Sequence, residues 1–126
     1  MTQTELHIAS GKGDLKEVKR LVTTCNADVY AKDEHGNIAL HLAVHENRLN
    51  VVKWLVLEGK VDANTKDANG FNSLHLAVAL GHKDIAVWLV KYGKVNMMAK
   101  TNDNHSWIQL TGGNSEMLVA VTMAWK

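Results

Sequence analysis

"GNIALHLAVHEN" (Gly36–Asn47) and "GFNSLHLAVALG" (Gly70–Gly81) are two copies of one pattern, their Leu-His-Leu-Ala-Val cores 34 residues apart. A fixed spacing of this size reads first as a structural repeat. Asp33–Lys66 and Asp67–Lys100 share 14 identities in 34 positions, among them Asp33/Asp67, Gly36/Gly70, His41/His75, Trp54/Trp88 and Gly59/Gly93. The frame extends backward: Leu6, His7, Ala9, Val18, Leu21 and Val22 precede Leu40, His41, Ala43, Val52, Leu55 and Val56 by one period. Forward it weakens, with Ile108, Gln109, Leu110, Val119 and Met123 following Leu74, His75, Leu76, Ile85 and Leu89. The reading is one domain, 1–126, of four repeats at approximately 1–32, 33–66, 67–100 and 101–126. The first lacks its opening turn and the last is degenerate.

Within a repeat the apolar spacing is helical. Leu74, Ala77 and Val78 fall at i, i+3, i+4, one face of a short helix. "GHKD" interrupts it, with Gly81 suited to φ > 0 at the helix end and Asp84 placed to cap the next helix. Ile85, Trp88, Leu89 and Tyr92 form a second stripe, which Gly93 ends. "DEHG" and "DANG" read as β-turns with glycine last. Neither helix can bury its apolar face alone, so the repeats must stack.

Gly-x-x-x-Leu-His-x-Ala at 36–43 and 70–77, followed by Gly81-His82 and a Val/Ile-Leu-Val stripe, resembles the ankyrin repeat. The resemblance spans essentially the whole chain and is weakest in 101–126. It implies an all-α solenoid of stacked helix-turn-helix units with β-turn fingers. It also implies that His7, His41 and His75 are internal and tie neighbouring turns by hydrogen bonds. Three departures stand out. The family's Thr-Pro pair reads Thr4-Glu5, Ile38-Ala39, Asn72-Ser73 and Ser106-Trp107, without proline and, at Ile38, without a capping hydroxyl. A missing N-cap costs about 0.5–2 kcal/mol, so modest stability is expected. The period is 34 rather than about 33, the extra residue falling after the second helix. The last repeat has Gln109 for the histidine, Asn104 for the turn glycine, and no Gly-His pair.

Composition narrows the function classes. Fourteen basic against 13 acidic residues leave a net charge of +1, with no electrostatic footprint for nucleic acid or an anionic membrane. No apolar run approaches the roughly 18–20 residues a membrane helix needs. The N-terminal "MTQTELHIASGKGD" has no apolar segment like that of a secretory leader. One cysteine, Cys25, allows no internal disulfide. An intracellular setting is therefore expected, cytoplasmic or nuclear, or host cytoplasm if the chain is an effector.

Candidate chemistry is sparse. His41 and His45 have the i, i+4 spacing of a metal pair, but HLAVH lacks the glutamate of HExxH and a third ligand. "SGKGD" at 10–14 has two glycines around a lysine, without the spacing or preceding strand of a phosphate loop. Cys25 has no companion histidine and acid. Trp54 and Trp88 share a repeat position and read as packing. No enzyme activity, cofactor or metal is expected.

The resemblance places partner docking on a concave side built from turn tips and first-helix ends. Carried over by position, that surface is Lys12 in the first repeat and Glu34, His35, Asn37, His45 and Glu46 in the second. The third contributes Asn69, Phe71 and Leu80, the fourth Asn102, Asp103 and His105. Phe71 and Leu80 suit an anchor role among polar neighbours. The expected function is a non-catalytic protein-interaction module, adaptor or inhibitor. The alternative is a targeting domain of a larger enzyme, or of a bacterial or viral effector, whose activity lies outside this chain. The last helix, "SEMLVAVTMAW", is apolar nearly all round, unlike a solvated end. Two readings of it stay open: further repeats beyond Lys126, or association with itself or another chain.

Overall fold

The computed structural model describes residues 4–125. Among them are eight helices and no strand: α1 (Glu5–Lys12), α2 (Leu15–Thr23), α3 (Ala39–His45), α4 (Leu49–Leu57), α5 (Ser73–Leu80), α6 (Lys83–Tyr92), α7 (Trp107–Leu110) and α8 (Ser115–Trp125). The fold is the all-α repeat architecture expected. Contacts divide the chain into two compact units, Met1–Asp62 and Ala63–Lys126. In the first, α1 packs on α2 and α3, α3 on α4, and α2 touches α4. In the second, α5 packs on α6 and α7, and α6 on α8. No helix among the described residues is long and apolar enough to cross a membrane.

The first helix of each hairpin is driven by its apolar face. Leu6 and Ala9, Leu40, Ala43 and Val44, and Leu74, Ala77 and Val78 are all 5% exposed or less. Each such leucine or valine contributes about 1.5–3 kcal/mol by leaving water. These helices stop where the backbone turns left-handed: Gly13 (φ 76), Asn47 (φ 62) and Gly81 (φ 78). The second helices are more one-sided. Val18 and Leu21 of α2 are buried, while Lys16, Lys19 and Arg20 are exposed. Ile85, Trp88 and Leu89 of α6 are buried as expected. Tyr92 is not: it is 59% exposed, with its ring tilted against Trp88 at 5.9 Å.

Two local expectations are corrected. The N-cap of α6 is His82, so Asp84 lies inside the first turn. There its charge still suits the helix dipole. By contrast, Asp14 does cap α2, its carboxylate accepting from Glu17 N at 3.2 Å. Gly93 ends α6 as expected, and the left-handed residues after the second helices are Asn26, Lys60 and Lys94 (φ 54, 58 and 57), each one residue past Cys25, Gly59 and Gly93. Gly93 instead allows close approach, since a Cβ there would sit 2.8 Å from the Leu89 carbonyl oxygen. Finally, α6 begins ten residues after the start of α5, but α8 only eight after that of α7. The last helix is therefore shifted by two positions. Met117 and Val121 (2% and 0% exposed) occupy the places of Ile85 and Leu89, and Val119 and Met123 (63% and 64%) face outward.

Candidate functional site

Each turn finger is fixed from beneath by one side chain. Asp33 Oδ1 accepts from His35 N and Asn37 N, both at 2.9 Å. Asp67 Oδ1 accepts from Asn69 N at 2.9 Å and Phe71 N at 3.0 Å. Asp33 N donates to Asn37 O, and Asp67 N to Phe71 O, closing both turns at 2.9 Å. In the last finger Thr101 Oγ1 does the same for His105 N at 3.2 Å. Asn104 adopts φ 65, the left-handed place of Gly36 and Gly70. Asparagine tolerates this region better than most residues, so the finger survives the lost glycine. Gly70 has no such latitude, because a Cβ there would lie 2.6 Å from the Asn102 backbone nitrogen.

The non-repeating side chains ride on this frame. In the first unit Glu34 and His35 are exposed at the finger tip, and Asn37 is half-buried. Lys12, His45 and Glu46 are exposed at the ends of α1 and α3. Arg48 Nε donates to Gly11 O at 3.0 Å, which fixes those two helix ends beside each other. His45 Nδ1 stands 2.8 Å from Glu46 Oε2, and His35 Nε2 3.9 Å from Glu34 Oε1. In the second unit Asn69, Asp103 and His105 are exposed, and Leu80 is 42% exposed at the end of α5. Two residues differ from the simplest picture. Phe71 is half-buried, its ring edge-on to His75 at 5.9 Å. Asn102 spends its amide holding two fingers together: Nδ2 donates to Ala68 O at 3.0 Å, and its backbone N to Asn69 O at 3.1 Å.

The repeat histidines are built into helix starts. Nδ1 of His7, His41 and His75 accepts from the backbone N of Thr4, Ile38 and Asn72 at 3.2, 3.1 and 3.1 Å. That places the ring proton on Nε2. His7 Nε2 donates to Asn37 O at 2.9 Å, and His75 Nε2 to Ala99 O at 3.0 Å. Thr4 Oγ1 and Asn72 Oδ1 accept in return from His7 N and His75 N, completing capping boxes. Ile38 cannot, so α3 has half a box. Gln109 explains the fourth repeat: its Oε1 accepts from Ser106 N at 2.9 Å, standing in for the imidazole nitrogen. Burial holds the His75 imidazole below its usual range, with Lys66 adding to the effect, while the bond to Ala99 O opposes it.

The other candidates resolve as structure. The Nδ1 of His41 is taken by Ile38 N and that of His45 faces Glu46, so the i, i+4 pair does not converge. "SGKGD" lies at the carbonyl end of α1, where Gly13 N and Asp14 N donate to Ser10 O and Ala9 O. The stretch ends at the N-terminus of α2, and there the Asp14 carboxylate already occupies the cap, accepting from Glu17 N. Cys25 is exposed, 3.3 Å from Arg20 Nη1, while Arg20 holds Glu17 by two 2.7 Å bonds. These bonds lower the Glu17 carboxyl below its ordinary value. Among the described residues no group of three His, Cys, Asp or Glu is placed to hold a metal.

One pair of positions was invisible to residue matching. Tyr30 OH accepts from Asp62 N at 2.8 Å and donates to Lys60 O at 3.4 Å. One period later, Asn64 Oδ1 accepts from Asn96 N at 2.6 Å and Nδ2 donates to Lys94 O at 3.1 Å. Both side chains clasp the following loop. The signal was a donor-and-acceptor group every 34 residues, not an identical residue.

No curated protein matches the chain. The family model for ankyrin repeats, in three copies, matches residues 6–101. That span runs from the first buried leucine to the threonine under the last finger. The repeat pattern, the helix hairpins and the matched span agree, and the chain belongs to the ankyrin-repeat family.

Proposed function

We propose that this chain is a non-catalytic docking module, an adaptor or inhibitor that covers a surface of an intracellular protein partner. Ankyrin repeats are generally protein–protein interaction modules. One contrast supports the reading here. Asp33, Asp67 and Thr101 fix the finger backbones in the same way, while the side chains on those fingers differ in each repeat. A fixed frame with variable tips lowers the ordering cost of binding and leaves specificity to the tips.

The proposed contact residues are Lys12, Glu34, His35, Asn37, His45 and Glu46 in the first unit. In the second they are Asn69, Phe71, Leu80, Asn102, Asp103 and His105. Their mixed charge favours a polar protein surface over nucleic acid. Leu80 is the better anchor, because Phe71 is already partly spent on His75. The test compares wild type with Leu80→Ala and with His45→Ala plus Glu46→Ala in affinity capture after in-cell cross-linking. Loss of an anchor typically costs 2 kcal/mol or more, so at least one variant should retain the partner about thirtyfold less. A partner held equally by all three proteins overturns the choice of surface.

A further inference from the structure

We infer that Asn69–Gly70 is a self-modifying site, where the finger backbone attacks its own side chain at a rate gated by the clasp of the next finger. The sequence has 11 asparagines, and only Asn69 is followed by glycine. The reaction needs the next backbone nitrogen to reach the side-chain carbon of asparagine, and a next residue without Cβ leaves that approach open. Asn69 is exposed at the finger tip, so water and hydroxide reach it. Hydroxide takes the proton from Gly70 N. That nitrogen bonds to Asn69 Cγ, the bond from Cγ to the amide nitrogen breaks, and ammonia leaves with a proton from water. Water then opens the cyclic imide at either carbonyl, giving aspartate or isoaspartate. Overall, one water is consumed and one ammonia released.

The folded finger holds this reaction back. Gly70 N donates to Asp67 O at 3.0 Å, so the attacking nitrogen is engaged. From the next finger, Asn102 N donates to Asn69 O at 3.1 Å, and Asn102 Nδ2 to Ala68 O at 3.0 Å. A Cβ on Gly70 would lie 2.6 Å from the Asn102 backbone nitrogen, so there is no slack between the two fingers. Attack therefore waits for local opening of the finger. In isoaspartate the main chain runs through Cβ and Cγ and is one atom longer. The extra atom falls between Asn69 N and Phe71 N, the two donors that share Asp67 Oδ1 at 2.9 and 3.0 Å. The lengthened turn loses that shared pairing, and the change is one-way. This clock on the shape of the finger runs independently of any partner.

Mass-spectrometric peptide mapping of the whole chain, held in mildly alkaline buffer over weeks, tests this. The readout at each asparagine is replacement of the amide nitrogen by oxygen, with isoaspartate identified by fragmentation. Asn69 should convert ahead of every other asparagine, and more slowly in the folded chain than in the urea-unfolded chain. Asn102→Ala should speed native conversion about fivefold, the gain in open population from losing one ordinary hydrogen bond, with the helical circular dichroism unchanged. Val18→Ala, a core truncation in the first unit, should lower the urea midpoint and leave the Asn69 rate as in wild type. Equal rates in folded and unfolded chains, or another asparagine converting first, overturn the proposal. An Asn102→Ala rate equal to that of wild type, or a Val18→Ala rate raised as much as that of Asn102→Ala, overturns the gate and the proposal with it.

Discussion

His75 shows how one side chain can serve the cap of its own helix and a loop 24 residues away. Its Nδ1 accepts from Asn72 N and its Nε2 donates to Ala99 O, with the residue 1% exposed. Replacing it by leucine unpairs the buried Asn72 N and the part-buried Ala99 O, so His75→Leu should lose about 2–4 kcal/mol in urea unfolding. His75→Gln should lose less, because an amide oxygen can keep the cap, as Gln109 does for Ser106 N. The acid response follows from the lowered imidazole value. As pH falls below the usual 6.5, the unfolded chain takes up a proton first. The stability that His75 contributes is therefore complete above that value and declines as pH falls through the lower folded one. Urea midpoints across pH 7 to 4 should show less of this decline in His75→Gln. An unchanged profile would contradict the assignment. The sequence identified these histidines as internal through the family pattern. It did not expose Gln109 as an equivalent, because acceptor geometry belongs to an atom and not to a residue name.

At the level of helices and turns, the stability left unused is at helix ends. The N-caps of α4 and α6, Arg48 and His82, make no side-chain cap bond, whereas Asp14 does on α2. His82→Asp should raise stability by about 0.5–1 kcal/mol. Ile38→Thr should gain little, because the cap it adds is offset by exposing or misplacing a side chain now 0% exposed. Lysines 60 and 94 sit in left-handed backbone, which costs a branched-at-Cβ-free residue about 1 kcal/mol relative to glycine. Lys60→Gly and Lys94→Gly should each raise the urea midpoint by up to that amount, and a fall in both would contradict the reading of those loops. The hairpins were legible because apolar periodicity is set by burial. Their ends were less so: a glycine can mark either a positive φ or a close approach. The register of α8 depended on a two-residue shortening that no identity marks.

Across the whole chain, stability resides in buried layers repeated within each unit, and surface charge contributes little. The Lys83–Glu116 pair raises the lysine and lowers the glutamate from their ordinary values, yet both side chains are exposed. Lys83→Ala should therefore leave the urea midpoint nearly unchanged. The candidate surface was legible as positions that fail to repeat, and most of those positions are exposed. The half-buried exceptions are Asn37 and Phe71, while Asn102 is exposed but is hydrogen-bonded to Ala68 and Asn69 on the preceding finger, a link that spacing alone does not reveal. The molecule divides into a repeating scaffold and variable tips. Amide hydrogen exchange, with and without a partner captured by in-cell cross-linking, tests it most directly. The prediction is new protection at 34–37, 45–46, 69–71, 79–80 and 102–105, with the outer faces of α2, α4 and α6 unchanged. Protection on those outer helices, with the finger tips exchanging as before, would contradict it.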